Sequence, residues 1–451
     1  MFQQNPVNAA FKTYLLDNAE ALHQQINGLT QSILNGEQVI WNKEFNLLPT
    51  VVFIDSETCS RFAAEVEQYH LILQKVLKLY RQHQSVRDFF GFDTLVEELC
   101  VLDSGLENEI VICRFDSYPT PDGFKLLENN TDCPAGVLFT HRHSKAIAGL
   151  PLIASFINEY GPVAQTRNMT DMGFFDTLFD AHKARTGRDV EHALAILQLE
   201  KGVSAEVKLM MEVMAEKGIE CVIADPRNLI RKDGALWSQG KRIDVIWNKI
   251  NTCYFNELLE DAEQVSGLLE AVKSNEVTHV NSFTARYVTE SKRSLALLCA
   301  PEFAHLFDEQ ERKIIESLLP WACCLSADRV NYKGQWDSAF DIAVAFKDEL
   351  VLKQPYDIRG DGVVLGKQCT QDQWQEMLVK GLEAQSILQA CVDVAKVEVL
   401  DPLDGQYRAL NSSLDFFMYN GHFAGFGSKL SEHLKVNIFQ GGSKNVVLPL
   451  A

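Results

Sequence analysis

Residues 114–132, RFDSYPTPDGFKLLENNTD, plant Arg114, Asp116, Glu128 and Asn130 in a segment that otherwise has the turn formers and apolar residues of a β-hairpin. Side chains alternate along a strand, so Arg114 and Asp116 share a face, as do Glu128 and Asn130. With strands over 109–116 and 124–130 folded symmetrically about Asp122, Asp116 faces Glu128 and Arg114 faces Asn130. Cross-strand Cβ atoms lie ~5 Å apart, and like charges at that separation destabilise the pair. A hard cation reconciles two carboxylates and an amide oxygen, and Mg2+ takes a few carboxylate oxygens together with phosphate oxygen and water. An arginine beside them suits phosphate or carboxylate. The same four residues serve equally as a structural ion cluster in which Arg114 neutralises both acids. A register slip of one residue separates the two pairs altogether.

A second signal lies in ELVLKQPYDIRGDGVVLG, residues 349–366. Lys353 ends the apolar run Leu350, Val351, Leu352, and a buried lysine is costly unless an anion meets it. Arg359, Gly360, Asp361 and Gly362 follow on an expected flexible loop, where glycines let backbone N–H groups approach phosphates. The alternative is an ordinary hairpin with an exposed edge lysine. His141 and His143, in FTHRHSK, read as loop residues that either line a substrate pocket or stand in solvent.

The elements that must carry these groups are read from the rest of the chain. With 451 residues, two or three subdomains are expected. The net charge of −19 is spread along the chain rather than held in blocks, which argues against a nucleic-acid partner, since phosphates need a basic footprint. No apolar run approaches the ~20 residues of a membrane span, and no secretory leader is expected. Eleven cysteines without a CxxC pair read as reduced thiols in a cytoplasmic protein, not a zinc site. The first hundred residues look mainly helical, with Phe62, Val66, Tyr69, Leu73, Val76 and Tyr80 forming one apolar stripe. Residues 192–248 alternate strand, helix and strand, with Ser204 as N-cap, Gly218 after the helix and an Asp-Gly hairpin turn, which suggests a parallel α/β layer. No GxGxxG follows the first of these strands, so a dinucleotide site is not expected. Helices are expected in TESKRSLALL and DEQERKIIESLLPW, and strands in LDFFMYNGHFAGFG and KVNIFQGG.

The pattern Arg-x-Asp, eleven residues, Glu-x-Asn resembles the metal-binding hairpin of ATP-grasp ligases. That hairpin usually follows the nucleotide lysines; here it precedes Lys353, as in the circularly permuted ATP-grasp group that includes the synthetase domain of glutathionylspermidine synthase. Residues 203–250 are similar to that group's pre-ATP-grasp segment, TESKRSLALL to its first lysine helix, VLKQPYDIRGDGVVLG to its second lysine and glycine loop, and VNIFQGGSKNVVLPL to its C-terminal strand and loop. The resemblance covers about residues 100–450. It implies an α/β (α+β) protein: an ATP-grasp fold in permuted order, with a Rossmann-like pre-ATP-grasp subdomain and a helical N-terminal region. The divisions expected are 1–100 (helical), 101–190 (core with the hairpin), 191–280 (pre-ATP-grasp) and 281–451 (nucleotide-binding lid and core). Asp116, Glu128 and Asn130 would hold Mg2+, and Arg114 would steady the transferring phosphoryl group. Lys292 and Lys353 would bind ATP phosphates beneath a lid carrying Arg359, Gly360 and Gly362, while Gln389 and the backbone near Cys391 would form the adenine hinge. Arg293 and Lys249 are neighbouring bases of the same charge as Lys292.

The resemblance implies ADP-forming ligation of a carboxylate to an amine through an acyl phosphate. Two alternatives stay open: a phosphotransferase acting on a small molecule, and a non-catalytic ATP-binding protein. If the hairpin holds the metal, Asp116→Ala or Glu128→Ala abolishes Mg2+-dependent ATP turnover with the fold intact; turnover unchanged in either variant marks the hairpin as structural.

Overall fold

The structure is a computed structural model that describes residues 5–40, 47–48, 50–161, 169–200, 202–401 and 404–451. Its longest helix, Ser56–Gln82, starts at Asp55, whose carboxylate accepts the N–H of Thr58 at 2.8 Å. All six residues of the expected stripe, Phe62 to Tyr80, are buried. They pack on the back of the hairpin Ile112–Pro119/Phe124–Asn130. The Phe62 and Phe124 rings are 4.9 Å apart and those of Tyr69 and Phe115 5.2 Å, while the Tyr69 hydroxyl donates to Asn129 Oδ1 at 3.1 Å. At about 1.5–3 kcal/mol for each large apolar side chain removed from water, this stripe stabilises the rear face of the hairpin strongly.

The hairpin is the edge of an eight-stranded sheet. Along its main path the order is Val51–Ile54, Ser443–Pro449, His422–Ser431, Asp415–Tyr419, Ile112–Pro119, Phe124–Asn130. Tyr407–Ser412 also pairs with His422–Ser431, and Lys396–Leu400 pairs with it in turn. A strand from the first hundred residues thus joins the last one: Val51–Ile54 runs parallel to Ser443–Pro449. That strand was not expected in a helical region, because four apolar residues carry no periodicity that separates strand from helix.

A four-stranded antiparallel sheet, Ala322–Cys324, Ile387–Ala390, Leu350–Lys353 and Val363–Leu365, carries Lys353. The helix Gln371–Glu383 covers it through Trp374, which is fully buried and donates Nε1–H to Ala343 O at 2.8 Å. The α/β layer is as expected: Cys221–Ala224, Ala193–Leu197, Lys241–Asn248 and Thr278–Val280 run parallel in that order. Ser204 caps Ala205–Glu216, and Asp233 and Gly234 turn the antiparallel hairpin at φ 53° and 71°.

Two local expectations fail. His141 and His143 lie on the helix Phe139–Ala148, not in a loop. The segment KVNIFQGG is a loop with a short 3-10 turn, Ile438–Gln440, rather than a strand. There Gly441 takes φ 90°, and a Cβ on Gly442 would meet the Asn437 carbonyl at 2.6 Å, so the glycine pair lets the chain double back on itself. Among the described residues no helix is long and apolar enough to cross a membrane.

Trp374 anchors the Lys353 sheet to its covering helices, so Trp374→Ala is expected to destabilise that unit by about 3–5 kcal/mol. Differential scanning calorimetry should show a lower or split transition.

Candidate active site

The hairpin pairs Arg114 with Asn130 and Asp116 with Glu128, the register that symmetric folding about Asp122 requires. A bulge follows Asp116 and leaves Leu127 as the extra residue. Asn281 fixes the open end: its Nδ2 donates to Ile112 O and Thr131 O, both at 2.7 Å, and its Oδ1 accepts from Ile112 N at 3.0 Å.

The face away from the long helix is a charge network. Arg114 Nε donates to Asp116 Oδ1 at 2.6 Å and Nη1 to Ala135 O at 2.7 Å. Lys429 reaches Asp116 Oδ2 at 2.6 Å and Asp415 Oδ2 at 2.9 Å. Asn130 Nδ2 donates to Asp116 Oδ1 at 2.9 Å. Burial opposes ionisation of Asp116, but Arg114 and then Lys429 overcome it and hold the carboxyl well below its ordinary range. Asp415 goes the other way: burial, then the charge of Asp116, pushes its pKa up. The ion-cluster alternative is thus half present. Arg114 neutralises Asp116, but Glu128 is paired instead with Lys292, at 2.7 Å.

Lys292 stands at the N-terminus of Arg293–Cys299 and is almost fully buried. It also pairs with Asp357; burial works against its charge, and Glu128 and Asp357 together raise its pKa. Of the neighbouring bases, Arg293 lines neither of the two cavities at the hairpin acids and reaches Gln385 Oε1 at 3.1 Å, while Lys249 donates to Pro134 O at 2.6 Å. Lys353 is buried, not an exposed edge residue, and donates to Leu127 O at 2.9 Å. Burial pushes its pKa down to about 8, opposed by Glu128.

The glycine loop is held from two sides. Asp357 Oδ2 accepts Gly362 N–H at 3.1 Å, and a Cβ at Gly362 would come 2.8 Å from Asp357 Cβ. Arg359 and Gly360 take left-handed φ of 60° and 74°. Across the gap the Arg359 guanidinium lies over Phe439, 4.8 Å from the ring centroid, and Lys435 Nζ reaches Gly360 O at 3.4 Å.

Two cavities meet at the hairpin acids. The smaller, of about 150 Å3, runs between the two sheets and is lined by Lys353, Val351, Leu365, Gln389, Cys391 and Val436. Gln389 is buried there, and among the described residues its Nε2 has no hydrogen-bond partner. The Cys391 N–H is taken by Glu349 O at 2.7 Å, so that donor does not face the cavity. The larger cavity, of about 450 Å3, is bounded by Arg114, Phe139, His143, Lys249, Phe417 and Lys444. Asp116, Glu128, Asp415, Lys429, Gly360 and Asn437 line both. His143, neutral because burial and then Lys444 push its pKa down to about 3, borders the larger one.

The oxygen-only donor set of Asp116, Glu128 and the Asn130 amide fits a hard cation, and Asp415 Oδ1 is buried without a hydrogen-bond partner among the described residues. Among those residues no group of three or more His, Cys, Asp or Glu side chains is placed to hold a metal by itself. An ion there depends on phosphate and water oxygens. It also needs the Asn130 amide to turn its oxygen inward and the lysines to yield some of the carboxylate oxygens they now hold.

Asp357, Asp415, Lys429 and Lys444 join the site without having been singled out. Asp415 lies in an expected strand and Lys429 two residues beyond one, but only the pairing across the sheet brings them to the hairpin. The expectation of an intact fold after Asp116→Ala also needs correction. Asp116 compensates Arg114 and Lys429, and removing one partner of a buried pair costs about 3–5 kcal/mol. Asp116→Asn, which keeps the shape, is the cleaner variant.

No family model matches the chain, and no curated protein does. Among solved structures it is similar to a gamma-glutamylcysteine synthetase candidate from Methylobacillus flagellatus KT, at 12% identity and TM-score 0.41, over 83% of this chain and 87% of that one. A RimK domain ATP-grasp protein from Sphaerobacter thermophilus matches at 15% identity and TM-score 0.27, over 53% of this chain and 91% of its own. D-alanyl-alanine synthetase A from Vibrio cholerae matches at 11% and 0.29, over 49% and 66%. At such scores the likeness is too loose to assign chemistry, which has to rest on the side chains.

Lys353 keeps its proton less readily in the folded protein than in the unfolded chain, so its burial costs stability below about pH 8, and stability recovers as pH rises towards 10.5. Lys353→Met is therefore expected to stabilise the ligand-free protein at pH 7 by up to about 3 kcal/mol, a gain that shrinks at alkaline pH. Thermal melts across that range check the sign.

Proposed function

We propose that this protein is an ATP-dependent carboxylate–amine ligase of the ATP-grasp type, in circularly permuted order, that forms ADP. The observation that carries the reading is the shared wall: a narrow cavity beside the buried Lys353 and a roomier one beside an arginine meet at the same acids, one of which, Glu128, holds the buried Lys292. The chain order, with the hairpin ahead of the lysine sheet, supports the permuted arrangement and the glutathionylspermidine synthase-like subgroup.

ATP takes the narrow cavity. Val351, Leu365 and Val436 cover the purine, and the unpartnered Gln389 Nε2 donates to one of its ring nitrogens. Lys353 and Lys292 bind phosphate oxygens, which would replace Leu127 O and the carboxylates they hold at present. Asp116, Glu128 and Asn130 hold Mg2+, which when bound supplies positive charge to the phosphates. Asp116, Glu128, Asp357 and Asp415 already hold Arg114, Lys292 and Lys429 in ion pairs, so the phosphates of a nucleotide must displace these carboxylates or bring cations of their own.

The substrate carboxylate, in the larger cavity, attacks the terminal phosphorus and ADP leaves. The amine then attacks the acyl phosphate carbonyl, loses a proton and expels inorganic phosphate. Arg114 lies where charge on the transferring group develops and stabilises it. The loop over Asp357–Gly362 closes over the junction and excludes water that would hydrolyse the intermediate.

Incubation with ATP, Mg2+ and pools of amino acids, peptides and polyamines is expected to release ADP and phosphate one to one, and only with a carboxylate and an amine together. Asp116→Asn should lower that rate on the order of 100-fold or more. ADP without phosphate would point instead to a phosphotransferase, and nucleotide binding without ADP in every pool to a non-catalytic protein.

A further inference from the structure

The floor of the larger cavity is one face of the eight-stranded sheet. Alternation and register bring Arg114, Asp116, Asp415, Phe417, Lys429 and Lys444 to that face. Lys429 and Lys444 are direct cross-strand partners, an arrangement of like charges that costs stability unless anions meet both. Lys429 meets Asp116 and Asp415, Arg114 meets Asp116, and Lys249 is 3.8 Å from Glu206. Lys444 alone of these four bases lies within ion-pair distance of no described carboxylate; its ammonium rests over Phe139, 5.7 Å from the ring centroid. The groups felt around it are Glu206 and Asp415, which favour its charge, and Arg114 and Lys429, which oppose it. The floor before it is kept clear by Gly427, where a Cβ would come 3.0 Å from the Phe417 ring.

We propose that Lys444 is the receptor for the carboxylate of the acyl-donor substrate, holding it on this floor beside Arg114 while the nucleotide occupies the other cavity. The inference rests on the ligase reading and adds the residue that recognises the acyl donor. A carboxylate is the anion that fits. Phosphates belong to the side of the acids where Lys353 lies, and a single lysine over an aromatic ring offers one charge and an apolar wall for the carbon chain behind it.

Wild-type protein is treated near pH 8 with an amine-acetylating succinimidyl ester, and acetylation of Lys444, Lys353 and Lys249 is followed by peptide mass spectrometry. The additions are acetate, glutarate, chloride at equal ionic strength, or Mg2+ with a non-hydrolysable ATP analogue. At saturation at least one of the two carboxylates is expected to slow modification of Lys444 by about tenfold, while chloride does not. The nucleotide alone should shield Lys353 and leave Lys444 reactive. Shielding of Lys444 by nucleotide alone, or by neither carboxylate, overturns the proposal. Lys353 left unshielded by nucleotide would overturn the ATP site itself, whatever Lys444 does, so the two failures are distinguishable.

Discussion

Two carboxylates forced onto one face of a hairpin set the terms for the rest of this molecule. Strand alternation leaves Asp116 and Glu128 no other place to point, and their opposition demands positive charge. The fold supplies it from three separate stretches of chain: Arg114 on the hairpin itself, Lys429 on the C-terminal strands, and Lys292 at the start of a buried helix. Each cation is buried enough that its loss would strand a charge, so the network locks the hairpin, the large sheet and the glycine loop into one arrangement.

That lock has a functional consequence. On the proposed ligase reading, the side chains that neutralise the acids would also serve a nucleotide's phosphates and a metal, and binding would exchange one set of ion pairs for another. Lys353 and Lys444 are the exceptions. Neither is within ion-pair distance of a described carboxylate, both have their pKa pushed down to about 8 by burial, and they stand on opposite sides of the acids. Sites that keep uncompensated charge commonly sacrifice stability for binding.

The N-terminal helical region also finds its place in these terms. Its apolar stripe does no chemistry; it packs Phe62 and Tyr69 against Phe124 and Phe115, on the reverse of the residues that carry the charges. A hairpin at the edge of a sheet is held flat from behind by this helix and at its open end by Asn281.

The strand alternation of 112–130, the stripe from Phe62 to Tyr80, the Ser204 cap and the Asp-Gly turn were all legible in the sequence, because each depends on neighbours a few residues away. The acids and their cross-strand order are of this local kind. What only the tertiary structure decided is which distant group answers each charge. Glu128 meets Lys292, which also holds Asp357, from beyond position 290, Asp116 meets Lys429 from over 300 residues away, and Lys444 is left without a carboxylate among the described residues. The reason is physical: periodicity determines which face a side chain occupies, but ion pairing depends on sheet order and burial. The parallel pairing of Val51–Ile54 with the C-terminal strand, and the pairing of Asp415–Tyr419 with the hairpin, are set by packing of the whole chain, to which no local pattern refers.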